Sequence, residues 1–175
     1  MRPGARTAAV VLVLALVGAA AIWTAGRLGA PTLPATAATA ADRQVTPAVD
    51  EAAELLRDWD ARRAAAYASA DVAALRRLYA DGSVAGRRDV AVLRSYRARG
   101  LRVVGLTTQV LTVRSEHRAK GEVVLLVTDR LAGAVAVGPG RRVRLPAGVA
   151  RTRRVTLVDE GRGWVVAQVR AGTGG

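Results

Sequence analysis

The chain contains no cysteine, no asparagine and no phenylalanine, and it has one histidine and one lysine, Lys120. The missing cysteine excludes disulfides, thiolate zinc sites, thiol nucleophiles and a lipid-modified cysteine at the N-terminus. The missing asparagine removes any acceptor for Asn-linked glycans. One histidine cannot build a multi-histidine metal site, and no metal or cofactor is expected. Aromatics are 3% of the residues, so a core must be built from Val, Leu and Ala with a few Trp and Tyr. No HExxH or GxSxG occurs. Gly138-Pro139-Gly140 lacks the strand-to-helix context that a phosphate-binding loop requires.

What is present bounds the rest. A length of 175 residues suits one domain with tails. Hydrophobic residues at 51% and a mean hydropathy of +0.18 supply enough apolar surface to offset chain entropy, so the chain as a whole is not a disordered polymer. The net charge is +13. That charge favours anionic surroundings such as phospholipid headgroups, cell-wall polyanions or nucleic acid, although scattered arginine also simply keeps a protein soluble.

The first seven residues carry Arg2 and Arg6, and Ala8 to Ala25 then run without a charge until Arg27. Eighteen helical residues span about 27 Å, close to the hydrocarbon thickness of a bilayer. Trp23 falls at the far end, where an interfacial aromatic belongs. A cleaved signal peptide shares this design, but Ala35-Thr36-Ala37 and Ala38-Thr39-Ala40, the small-residue cleavage candidates, lie more than ten residues beyond the run. An uncleaved single-pass anchor is therefore favoured, with residues 1–7 inside and the remainder outside, following Arg2 and Arg6. Residues 26–47, rich in Ala, Thr and Pro, read as an exposed linker.

Helical spacing follows over 48–67, with Ala52, Leu55, Leu56, Trp59, Ala66 and Tyr67 near one stripe and Asp58 four residues before Arg62. Asp50, Glu51 and Glu54 fall in what would be its first turn. Ser69-Ala70-Asp71 offers a break and a cap. A second helix is expected at 71–80 and a third at 86–98, stopped by Gly100. From 101 the period changes to that of strands: 101–115, 122–131 with a continuation to Val137, 151–159 and 164–170. His117 to Gly121 reads as a turn. The loop over 138–148 is bracketed by Gly138-Pro139-Gly140 and Pro146-Ala147-Gly148, and residues 171–175 read as a tail. Helices followed by a meander of long antiparallel strands define an α+β domain over 48–170, with about three helices packed on a curved antiparallel sheet.

Trp59 to Tyr67 (WDARRAAAY), Asp71 to Tyr79 (DVAALRRLY), Val127 to Leu131 (VTDRL) and Gly163 to Gln168 (GWVVAQ), in that order, resemble the NTF2-like (SnoaL-like) cone. With an N-terminal anchor the arrangement is also similar to extracytoplasmic actinobacterial proteins, including Mce-associated membrane proteins, and to VirB8-like components of conjugation machines. The resemblance implies a cone with an interior cavity. The superfamily includes isomerases, hydrolases and non-catalytic modules, so fold alone does not assign an activity.

Three groups of residues are candidates. Asp129 alternates with Val123, Leu125, Val127 and Leu131 and should point inward. It would serve either as an acid–base group of raised pKa or as the partner of an arginine, and the ion pair is favoured because an unpaired buried charge is too costly. Trp59, Tyr79, Tyr96 and Trp164, with Tyr67, either line a cavity around Asp129 or simply fill the core. Arg141, Arg142, Arg144, Arg151, Arg153 and Arg154 either contact an anionic lipid or polyanion or form a solvated hairpin tip. No aromatic interleaves with them, which disfavours nucleic acid. His117 beside its turn lacks the sheltered setting a triad base needs. The sequence thus points to a membrane-anchored, non-catalytic interaction module whose partners are the membrane and another envelope protein. The alternative is an enzyme or small-molecule binder centred on Asp129.

Overall fold

The computed structural model describes residues 45–172, with side chains placed from Glu51 onward. The expected anchor at 8–25 and most of the linker lie outside the described residues. Among the described residues no helix is long and apolar enough to cross a membrane. Three helices precede five strands: α1 Val45–Ser69, α2 Val72–Arg76, α3 Val84–Ala98, β1 Arg102–Ala119, β2 Glu122–Gly138, β3 Arg141–Arg144, β4 Arg151–Asp159 and β5 Trp164–Ala171. The fold is α+β, with helices packed against an open antiparallel sheet of order β1-β2-β4-β5. β3 pairs with the distal half of β2, beyond the stretch that pairs with β4.

Several boundaries differ from expectation, each for a local reason. α1 starts at Val45, so Asp50, Glu51 and Glu54 sit beyond its first turn and Pro47 falls inside it, where a missing N–H costs no hydrogen bond. The Asp58–Arg62 pair forms at 2.9 Å. Ala70 takes a positive φ of 54° at the break, and the Asp71 side chain caps α2 by accepting from Ala74 N–H at 2.9 Å. α2 lasts only five residues, whereas a helix to residue 80 was expected. The chain leaves it because residues 78–80 bond to β5. Val166 N–H donates to Leu78 C=O at 3.0 Å and Ala80 N–H to Val166 C=O at 3.2 Å.

His117 is not in a turn. β1 continues to Ala119, and His117 pairs with Val124 on β2 as an exposed strand residue. The expected 138–148 loop contains the short strand β3, whose four residues are all exposed. β2 continues through Gly133 to Gly138 as one strand. Its burial alternates strictly from Val123 to Asp129, as a strand with one covered face must. The core joins Leu75 and Leu93 from the helices to Val103, Val123, Leu125, Val127, Leu157 and Val166 from the sheet, all essentially inaccessible.

Candidate functional site

Two buried polar clusters lie between helices and sheet. The first ties the helices together. Asp89 on α3 accepts from Arg63 Nε and Nη2 of α1 at 2.6 Å each. It also accepts from the Tyr67 and Tyr79 hydroxyls at 2.7 Å each. Burial alone would raise the Asp89 carboxyl, but the Arg63 charge and these donors hold it below its ordinary value. Burial and the neighbouring Asp89 charge push both tyrosine hydroxyls up, so they stay protonated donors.

The second cluster crosses the sheet. Asp129 on β2 is 7% exposed and accepts from Arg153 Nη2 on β4. Asp60 on α1 lies within electrostatic reach of both, and accepts from Thr108 Oγ1 of β1 at 3.5 Å. Burial raises the Asp60 carboxyl to about 6; Asp129 adds to the rise, while Arg63, Arg153 and Thr108 oppose it. Arg153 Nε is buried and has no hydrogen-bond partner among the described residues. The pairing geometry explains the reach: Arg153 stands opposite Val127, two pairs along from Asp129 and on the same face, so its side chain runs diagonally to the carboxylate.

The five cavity candidates take different places. Trp59 and Tyr79 meet edge to face with ring centroids 5.4 Å apart, and Trp59 Nε1 donates to Leu78 C=O at 2.9 Å. Both therefore close the core where α2 ends. Tyr96 is buried near the end of α3, with the Arg99 guanidinium 4.9 Å over its ring. Trp164 opens β5, and its carbonyl accepts from Arg62 at 3.4 Å. Asp129 belongs to the sheet cluster. The six-arginine group also divides. Arg153 binds Asp129, and Arg154 pairs with Glu116 at 2.5 Å. Arg141, Arg142 and Arg144 are exposed on β3 and make no ion pair among the described residues. Elsewhere, an open cleft of about 430 Å³ between α2 and α3 is lined by Arg76, Tyr79, Ser83, Arg87, Val90 and Arg94.

Asp60, Arg63, Asp89 and Thr108 are not among the candidates read from the sequence. Leu56, Asp60, Arg63 and Tyr67 follow i, i+4, i+7, i+11 spacing, and Asp89, Leu93 and Tyr96 follow i, i+4, i+7. The signal was thus a charge standing on an apolar stripe.

Fold and clusters together define an α+β domain in which three helices cover one face of an open antiparallel sheet, an arrangement consistent with an NTF2-like cone. No family model and no curated protein matches the chain. Among solved structures, the intermembrane space region of the chloroplast protein ARC6 is similar at 11% identity, covering 72% of this chain and 97% of that one with a TM-score of 0.51. An NTF2-like protein with a cystatin-like fold from Novosphingobium aromaticivorans matches at 15% identity over 74% of this chain and 86% of that one, TM-score 0.40. Aln2 from a Streptomyces species matches at 14% identity over 68% and 88%, TM-score 0.46. At such identities the likeness concerns the fold alone.

Proposed function

We propose that this chain is a single-pass envelope protein whose NTF2-like domain binds another envelope component and does not catalyse a reaction. The observation that carries this reading is the state of its interior carboxylates. Asp129 is held by Arg153 and Asp89 by four donors, and Leu75, Leu93, Leu125 and Leu157 are fully buried core side chains. A catalytic acid or base must instead reach a substrate atom. The anchor rests on the apolar run Ala8 to Ala25 behind Arg2 and Arg6, which places the N-terminus inside and the domain outside.

The test replaces the ion pair by a neutral one, Asp129→Asn with Arg153→Gln, in cells that depend on the protein. The double variant should fold and restore the deletion phenotype. A variant that melts cooperatively yet fails to restore it would overturn the non-catalytic reading. A second reading, a small-molecule site at this cluster, is favoured by the buried Arg153 Nε without a protein acceptor and by the Asp60 carboxyl near 6, a value suited to proton exchange near neutral pH.

A further inference from the structure

Charge is distributed unevenly along the strands. The end formed by the β1–β2 and β4–β5 turns carries charges of both signs, Glu116, Glu122, Asp159 and Glu160 with Arg114, Arg118, Lys120 and Arg162, brought together by pairing of Glu122 with Val158 and by the Asp159 N–H to Gly121 C=O bond. At the opposite end β1 begins, β2 finishes and β3 lies alongside. That end has Arg102, Arg141, Arg142 and Arg144 and no acid of its own. No carboxylate side chain occurs between Asp89 and Glu116, or between Asp129 and Asp159.

The register sorts these arginines by face. Val137 on β2 is flanked by Arg102 on β1 and Arg142 on β3, and Val135 is flanked by Val104 and Arg144. Directly paired residues share a face, and the intervening Val103 and Ala136 are buried on the helix side. The outer face therefore presents Arg102, Val137 and Arg142 in one row and Val104, Val135 and Arg144 in the next. With strands about 4.8 Å apart and about 3.3 Å of rise per residue, the three arginine Cα atoms fall within about 12 Å of one another. The arginines are exposed and the valines half-buried. None of the three arginines is ion-paired among the described residues, unlike Arg153 and Arg154. Val143, between Arg142 and Arg144, pairs with Ala136 and so lies on the other face, away from the three arginines.

We infer that this end of the sheet docks on an anionic phospholipid surface, Arg102, Arg142 and Arg144 meeting phosphates and the valines meeting the headgroup–acyl boundary, so that the domain is held in one orientation on the bilayer. Guanidinium forks match phosphate oxygens, and basic clusters beside aliphatic side chains suit the membrane interface. A nucleic-acid groove would call for stacking platforms, and the chain has no aromatic between Tyr96 and Trp164. The far end mixes acids with bases and is attracted less by the same surface, which selects the orientation. This inference rests on the reading of the chain as an envelope membrane protein.

The absence of native cysteine allows one fluorophore to be placed at Val104→Cys, in the same outer-face row as Arg144, and, in a separate sample, at Arg162→Cys on the exposed β4–β5 turn. Full-length protein is mixed with vesicles carrying a lipid-borne quencher, made of phosphatidylcholine alone or mixed with phosphatidylglycerol. The Val104 label should be quenched only with phosphatidylglycerol and released by high salt, and the Arg162 label should be quenched in neither. Changing Arg102, Arg142 and Arg144 to Gln should lower the docked-to-free ratio about a hundredfold, at roughly fivefold per arginine. Protein that binds only the phosphatidylglycerol vesicles, salt-reversibly and with the Val104 label quenched, would sustain this inference and overturn the anchor. Equal quenching on both lipids, quenching of the Arg162 label, no quenching at the Val104 label, or quenching that survives the three substitutions would overturn the docking end.

Discussion

At the scale of single residues, the carboxylates Asp89 and Asp60 have opposite effects on stability. Asp89→Ala would leave Arg63, whose side chain is 19% exposed, without its counter-charge, a change that costs about 3–5 kcal/mol when a buried pair is broken from one side. Urea unfolding should register this loss. Because the Asp89 carboxyl is lowered in the fold, its contribution is present above the ordinary carboxylate range and is lost as the pH falls through the folded value. Asp60 behaves in the reverse sense. Its carboxyl rises from 3.8 to about 6, so between these values the native state holds more protons than the unfolded chain, and stability falls as the pH rises through that window. Asp60→Asn should remove this slope and stabilise the protein above pH 6, on the order of 2 kcal/mol. Melts of the variant and the parent at pH 5 and 7.5 check this, and parallel curves would refute it.

Among the elements, the α2–α3 junction depends on a close approach. A Cβ at Gly86 would meet Tyr79 Cβ and Cγ at 2.6 Å, and neither atom can swing away as the end of a flexible chain would. Gly86→Ala should therefore destabilise by about 1–3 kcal/mol, even though alanine is the better helix former. Denaturant midpoints decide the sign. The third helix was legible from its apolar spacing and from Gly100, at φ 68°, past its end, whereas the Ser83 cap, accepting from Gly86 N–H at 3.2 Å, starts it at Val84 and not at the expected 86. The second was overestimated because its apolar spacing persists to Tyr79 while the backbone there is engaged by Val166, a partner 87 residues away. β3 was missed because all four of its residues are exposed, leaving no alternation to read.

For the chain as a whole, the apolar run at 8–25 and the domain are separable in the proposed organisation. A protein beginning at Arg43, just ahead of α1 at Val45, should unfold in one cooperative thermal transition followed by circular dichroism. A gradual, non-cooperative melt would mean that the domain needs the preceding residues. The domain draws its core from all three helices and from β1, β2, β4 and β5, which is the basis for expecting one transition.

Periodicity and composition alone determined the α+β order of elements, the inward direction of Asp129 and the classes of chemistry that missing residues exclude. Each of these follows from local spacing or from an inventory. Tertiary structure decided which arginine meets which acid. Arg153 and Arg154 are neighbours in sequence, but adjacent strand residues point to opposite faces, so one is bound to Asp129 and the other to Glu116. It also brought Arg102 into a row with Arg142, because a shared partner, Val137, places them side by side. Pairing between strands distant in sequence sets these neighbours, and no local pattern encodes its register across bulges such as those of β1.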